Sequence, residues 1–336
     1  MSWPCLCPRE VKALKQNQFS LVQPLPHNFP SADVSTHVRS YWKSLIYRVW
    51  ATAAAYMSLL KLRSATLNSL SALMGMLLAA GSGISWSMAS SLIISVWLVA
   101  AGSGALNSYL DRDIDKVMHR TSRRPLPFGR IKPAEKALYT GMLLVSAGLI
   151  ISSVWLSWLA TLFIALGAVI YIFVYTMWLK RKTPWGIVIG GLAGSCALLA
   201  GWASVTASFS LSPLLFSVFI FLWTPGHFWG LAIRTKDDCE RANLPTLPTI
   251  YGERVASKWA ALSNIVLLPL STIPYILGML GEPYLFISLV GGLIVLAVNI
   301  KLYLTPTPQN AWTAFKLSSP YLAIVYLAVA VDIFLR

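Results

Sequence analysis

Six of the chain's twelve acidic residues stand in two short clusters, Asp111-Arg-Asp113-Ile-Asp115 and Asp237-Asp238-Cys-Glu240, within a sequence that is otherwise mostly apolar. Carboxylates are costly near a bilayer, so grouped ones there point to a functional site. Asn107, Asp111 and Asp115 lie four apart. On a helix they share one face, about 6 Å apart along the axis. Asp113 points to the other side, toward a neighbouring Arg. Mg²⁺ takes a few carboxylates and completes its octahedron with water and phosphate oxygens. Asp111 and Asp115 are therefore the better joint metal ligands, with Asn107 as a neutral oxygen donor, and the second cluster is the candidate for the opposite side. Arg and Lys in the same loops suit the remaining phosphate charge. The set fits departure of a diphosphate from an allylic carbon, with metal and cations stabilising the leaving group. A greasy cleft would hold the isoprenoid tail, and aromatic rings would shield the carbocation.

The elements that must carry these residues are membrane helices. The chain has 336 residues, 12% of them charged, and a mean hydropathy of +0.64. A soluble domain carries roughly 25% charged residues. Apolar stretches of about 20 residues, the length a membrane helix needs, recur nine times: about 65–84, 87–108, 137–156, 159–179, 187–206, 212–233, 259–280, 284–304 and 313–335. The alternating ten-residue segments of a membrane β-barrel do not occur. The expected fold is all-α and integral to the membrane, a nine-helix bundle with Asp-rich loops on the cytoplasmic face. Residues 61–336 read as the membrane domain and 1–60 as an N-terminal cytoplasmic extension. In that extension Trp42, Leu45, Ile46, Val49, Trp50, Ala53, Met57 and Leu60 follow helical spacing, with Lys43 and Arg48 off the stripe. A helix lying in the interface over 41–60 fits this pattern, and a tenth span is the alternative.

The net charge of +15 is explained by where it sits, without nucleic acid as a partner. Lys and Arg crowd the segment before the first span and the loops after spans 2, 4, 6 and 8. The loops near 85, 157, 209 and 282 hold none. By the positive-inside rule the N-terminus is inside. A prokaryotic inner membrane is expected, and a mitochondrial inner membrane is the alternative. Four crossings separate the two acid clusters, so both emerge on one face. Acids contribute little to orientation, so topology accounts for the cations but not for the clusters. His227, near the inner end of span 6, is either a structural histidine or a ligand or proton carrier for an acceptor. Gly190, Gly191 and Gly194 read as close-packing positions. Cys5, Cys7, Cys196 and Cys239 lack zinc spacing, and no disulfide is expected on a reducing face.

The runs Asn107-Ser-Tyr-Leu-Asp-Arg-Asp-Ile-Asp115, Met118-His-Arg-Thr-Ser-Arg-Arg-Pro-Leu126 and Gly129-Arg130 are close to NxYxDRDID…MxRTxxRPL…GR. Trp223-Thr-Pro-Gly-His-Phe-Trp-Gly-Leu-Ala-Ile233 is close to WTPxHFWALAI, and Lys236-Asp-Asp with Leu247-Pro248 to KDDY…MLP. Tyr175-Thr176, Leu179-Lys180-Arg181, Thr183-Pro184 and Gly201-Trp202 extend the match. Over residues 61–335 the chain resembles the UbiA superfamily of membrane prenyltransferases, and more narrowly its protoheme IX farnesyltransferase branch. The resemblance implies that farnesyl diphosphate ionises with Mg²⁺, a vinyl group of heme b attacks, water completes the addition and heme O results. Heme b is then a substrate, and a heme A synthase or a terminal oxidase lies downstream. It also implies that Asn107, Asp111 and Asp115 hold the Mg²⁺–diphosphate from one side and Asp237 and Asp238 from the other. Arg124, Lys180, Arg234 and Lys236 are the implied diphosphate residues, with His227 on the heme side.

The chain departs from the branch pattern at several points. Lys61-Leu-Arg63 stands for KPR, Cys239 for Tyr, Gly186 for Asn, Ala197-Leu198 for Pro-Pro, and Gly226 for a second Pro. Three other readings stand beside heme farnesylation. One is prenylation of a quinone precursor, chlorophyllide or lipid. Another is a multispanning transporter, which would place acids at mid-membrane. The last is a non-catalytic assembly factor.

Overall fold

The computed structural model describes residues 31–206, 208 and 210–335, with side chains from residue 39 onward. Cys5, Cys7 and the rest of the extension before Ser31 lie outside the described residues. The chain divides into two compact units, Met1–Ala51 and Thr52–Arg336. In the described part of the first unit, helix α1 (Ser31–Leu59) presents Trp42, Leu45, Ile46, Val49 and Trp50 as an exposed apolar groove. α1 overlaps the 41–60 segment and begins ten residues ahead of it.

The second unit consists of nine long helical rods and three short helices, with no strand among the described residues. The rods are α2 (Leu62–Ala80), α3 (Trp86–Leu110), α5 (Glu135–Trp155), α6 (Trp158–Arg181), α7 (Gly186–Val205), α8 (Leu211–Arg234), α11 (Glu253–Ile276), α12 (Glu282–Leu304) and α13 (Pro308–Leu335). The short helices are α4 (Arg112–Val117), α9 (Lys236–Arg241) and α10 (Leu247–Tyr251). Eight rods are long and apolar enough to cross a membrane; α2, carrying Arg63 and Asn68, is the ninth. Each rod matches one of the nine expected stretches.

Sequence neighbours pack, and α2 closes the circuit by packing against α3, α7 and α13. The closest approach is between α2 and α7. A Cβ on Gly75 would lie 2.9 Å from the Leu198 carbonyl carbon, and one on Gly201 2.7 Å from that of Ala72. Bare backbones let the helices touch, which is how small residues replace the hydrophobic effect inside lipid. α3 meets α5 in the same way at Gly102 and Gly141. Gly190, Gly191 and Gly194, expected as packing positions, abut Tyr175, Thr224 and Ile220.

Two irregularities position the site. The last part of α6, Ile170–Trp178, is a π-helix. The Thr176 hydroxyl donates to the Tyr171 carbonyl five residues back at 2.7 Å and accepts from Asn107 Nδ2 at 3.0 Å. Single π turns of this kind concentrate at functional sites. The other is the α1–α2 junction. Lys61 takes the left-handed conformation, φ 50 and ψ 48, which a non-glycine residue adopts at a cost. Gly104 of α3 makes room for it: a Cβ there would lie 3.2 Å from the Leu60 carbonyl oxygen.

Candidate functional site

Where α3 ends, the chain turns at Asp111 and restarts as α4. This keeps Asn107, Asp111 and Asp115 on one side, as their spacing requires, and all three are buried. They line a cavity of about 590 Å³. Asp111 Oδ2 accepts from Lys180 Nζ at 2.5 Å and from Asn107 Nδ2 at 2.8 Å. Asp111 Oδ1 is buried with no hydrogen-bond partner. Arg124 Nη1 donates to both oxygens of Asp115, at 3.0 and 2.9 Å. Asp113 leaves this group and forms a fork with Arg181 at 2.8 Å from each guanidinium nitrogen. The Arg181 hydrogen bonds hold its carboxyl at about 2. Asp113 pairs with an Arg as expected, but not with a neighbouring one: Arg181 lies 68 positions away and is brought in by the packing of α6.

The second cluster divides. Thr235 and Cys239, one helical turn apart, face the cavity. Asp238 is buried but bonded away from it: its oxygens accept from His119 N at 2.8 Å and Arg120 N at 3.1 Å, and from the Arg241 guanidinium. Burial alone would raise the Asp238 carboxyl, but these bonds bring it below the usual range. Asp237 is exposed, outside the cavity wall, and has no ion pair among the described residues. Arg234 is exposed, and Lys236 lies 3.7 Å from Glu240 and 3.8 Å from Glu253; neither lines the cavity. The four acids expected as one ligand set thus fall into an inward pair, a loop clamp and an exposed carboxylate. A helix turns its neighbouring residues about 100° apart, so adjacent aspartates on α9 cannot both share the Cys239 face.

Two cavity cations carry no carboxylate partner by hydrogen bond. Arg120 lines the wall beside Cys239. Lys61 points into the cavity and donates to Asn107 Oδ1. Burial, with the charges of Arg124 and Lys180, pulls its ammonium down to about 7. Neither was expected as a site residue; the signal for Lys61 was its place in Lys61-Leu-Arg63, where the branch pattern has KPR. Tyr171 and Tyr175 of the π turn also line the cavity, stacked at 6.1 Å and 22°.

Farther along the cavity, the His227 ring is sandwiched between Trp223 at 4.7 Å and Phe315 at 4.3 Å, and its Nδ1 is bonded to the Ser318 hydroxyl. With both faces covered and Nδ1 engaged, Nε2 is the ring nitrogen left for a ligand. Apolar wall comes from Val96, Val99, Phe163, Ile164, Ile220 and Leu322. Three of the pattern departures, Gly186, Ala197 and Cys239, also line the cavity.

The chain is 40% identical over 248 residues to the protoheme IX farnesyltransferase of Desulforudis audaxviator, covering 73% of this chain and 77% of the relative. It is 44% identical over 235 residues to protoheme IX farnesyltransferase 1 of Cenarchaeum symbiosum, covering 70% and 79%. Among solved structures, a UbiA homolog from Archaeoglobus fulgidus bound to DMAPP and Mg²⁺ superposes with a TM-score of 0.61 over 82% of this chain and 99% of that one, at 17% identity. Residues 68–320 match the UbiA prenyltransferase family, and the chain, a multi-pass integral membrane protein, belongs to that family.

Proposed function

We propose that this protein transfers the farnesyl group of farnesyl diphosphate to a vinyl group of heme b, giving heme O. The observation that carries the reading is Asp111: a buried carboxylate with one oxygen unpartnered, among cations, in a cavity that continues as apolar wall. A buried carboxylate oxygen left without a partner costs about 1–3 kcal/mol even where the other oxygen is ion-paired, and a hard dication fits it. Asp111 and Asp115 are the residues that would hold Mg²⁺ from inside, and exposed, unpaired Asp237 is its candidate from the second cluster. When bound, the ion neutralises charge developing on the diphosphate oxygens. Lys180 and Arg124 hold the two carboxylates in place and give their charge to the diphosphate as it binds. Asn107 orients Asp111. The C1–O bond of the prenyl chain breaks, the diphosphate leaves with the electron pair, and the Tyr171–Tyr175 stack shields the allylic cation. C1 then bonds to the terminal vinyl carbon of heme b. A water oxygen adds to the inner vinyl carbon and loses a proton.

His227 Nε2 supports an acceptor-side role. Heme O would be consumed by a heme A synthase or a terminal oxidase. The charge asymmetry of the loops supports an inside N-terminus in a prokaryotic inner membrane. Asp111 at the end of α3, rather than at its centre, argues against a transporter's ion path. A second reading, another prenyl acceptor, is favoured by Gly186, Ala197 and Cys239 in the cavity wall.

The test is mass spectrometry of heme recovered after incubating the protein with heme b, farnesyl diphosphate and Mg²⁺. A hydroxyethylfarnesyl adduct, lost with EDTA, supports the reading. Unmodified heme from folded protein shifts it to another acceptor.

A further inference from the structure

We propose that Lys61 is a diphosphate-binding residue of the site, its ammonium anchoring the leaving group from the α1–α2 junction; this rests on the prenyl-transfer reading above. Lys61 is the Lys of the Lys61-Leu-Arg63 run that stands where the branch pattern has KPR, just ahead of the matched residues 68–320. Its placement is built rather than incidental. The left-handed backbone at Lys61 turns the chain into α2 and directs the side chain inward. Gly104 admits that turn against α3, three residues ahead of Asn107. Asn107 then accepts from Lys61 and donates to Asp111 and to Thr176 of the π turn. One hydrogen-bonded line therefore runs from Lys61 through Asn107 and Asp111 to Lys180.

The charge pattern identifies what Lys61 is for. Lys180 and Arg124 each take a carboxylate as partner. Lys61 donates to a neutral amide instead, so Asp111 and Asp115 act on it only through space and two ammonium donors stay free. A buried cation in that state is costly, and its cost is relieved by an anion that enters the cavity. A polyanion that enters the cavity beside Asp111 meets this ammonium, because Asp111 and Lys61 bond the two ends of one amide, that of Asn107. Along α3 the cavity wall turns apolar at Val96 and Val99, about two to three helical turns from Asn107, so the prenyl chain would extend away from the point where Lys61 holds its head.

The test uses the full chain in lipid nanodiscs, with Lys61→Gln, Lys61→Met and Lys61→Arg beside wild type. Inhibition by magnesium pyrophosphate, the KM for farnesyl diphosphate, the heme b binding spectrum and the melting temperature are measured for each. A lost charge-assisted hydrogen bond predicts pyrophosphate inhibition weakened ~10-fold or more in Gln and Met, with a matching rise in KM. Heme binding should be unchanged, and Lys61→Arg should fall nearer to wild type. Equal inhibition constants in wild type and Lys61→Gln would overturn the assignment. So would a fall in melting temperature with heme and pyrophosphate affinity lost together, or failure of all three variants to fold, since either makes Lys61 part of the scaffold. Wild type that ignores pyrophosphate and transfers no prenyl group overturns the prenyl-transfer reading itself.

Discussion

The carboxylate of Asp238 accepts a hydrogen bond from the backbone N–H of Arg120 at 3.1 Å, across 118 residues of sequence. With the bond from His119 N, it ties the loop after the first acid cluster to the helix of the second. Asp238 thereby sets where the Arg120 side chain meets the cavity. The clamp predicts that Asp238→Ala destabilises the protein by on the order of 2 kcal/mol, the cost of losing charge-assisted bonds. It also predicts a raised KM for the prenyl diphosphate, with the Mg²⁺ concentration for half-activity unchanged. Thermal melting and a magnesium titration read these out; a shifted magnesium midpoint would instead make Asp238 a ligand.

Asp111 and Asp113 are two residues apart and should behave oppositely. Asp111→Asn should lower turnover by ~100-fold or more while the protein stays folded, because electrostatic stabilisation of the leaving group is lost. Asp113→Asn removes an exposed pair with Arg181, and such pairs contribute roughly 0–1 kcal/mol. Its turnover should stay within about twofold of wild type on the same stability grounds. Side-by-side steady-state rates decide the matter, and parallel losses would refute the division.

Lys61 gives the site a pH dependence. Its folded value of about 7 lies below the ordinary 10.5. The unfolded chain therefore holds the extra proton between those values, and stability rises with pH across that window. Diphosphate binding favours the charged form, so kcat/KM for the prenyl diphosphate should fall as pH rises above about 7. Lys61→Met should flatten that limb of the profile, and an unchanged limb in the variant would assign it to another group.

Gly201 should tolerate no side chain. A Cβ there enters the α2 backbone at Ala72, and neither helix has a flexible side chain to yield. Overpacking costs about 1–3 kcal/mol or more. Gly201→Ala is expected to lower the melting temperature and the folded yield. Gly252, whose added Cβ would meet nothing but whose φ is +84, supplies the contrast, since substitution there strains the backbone without a clash.

His227→Leu should separate the two substrates. The stacked position between Trp223 and Phe315 is kept by an apolar side chain, while Nε2 is lost. The heme b binding spectrum should change and acceptor KM rise, with farnesyl diphosphate KM held. Equal shifts in both KM values would return His227 to a structural role.

The nine rods and the single face shared by both acid clusters follow from local rules. Hydrophobic length and charge asymmetry act on each segment separately, so a linear reading suffices for them. The Asn107–Asp111–Asp115 face is equally local, because helical period alone sets it. What faces what across the bundle is not local. The bond from Lys180 to Asp111, the fork from Arg181 to Asp113 and the clamp of Asp238 on Arg120 depend on how α3, α6 and α9 pack. No spacing in the chain encodes those partners. The same holds for Lys61, whose inward course depends on a left-handed turn that Gly104 of another helix accommodates. Sequence periodicity determined which residues could act together; tertiary packing decided which carboxylate keeps a free oxygen, which becomes a clamp, and which cavity cations have no carboxylate partner.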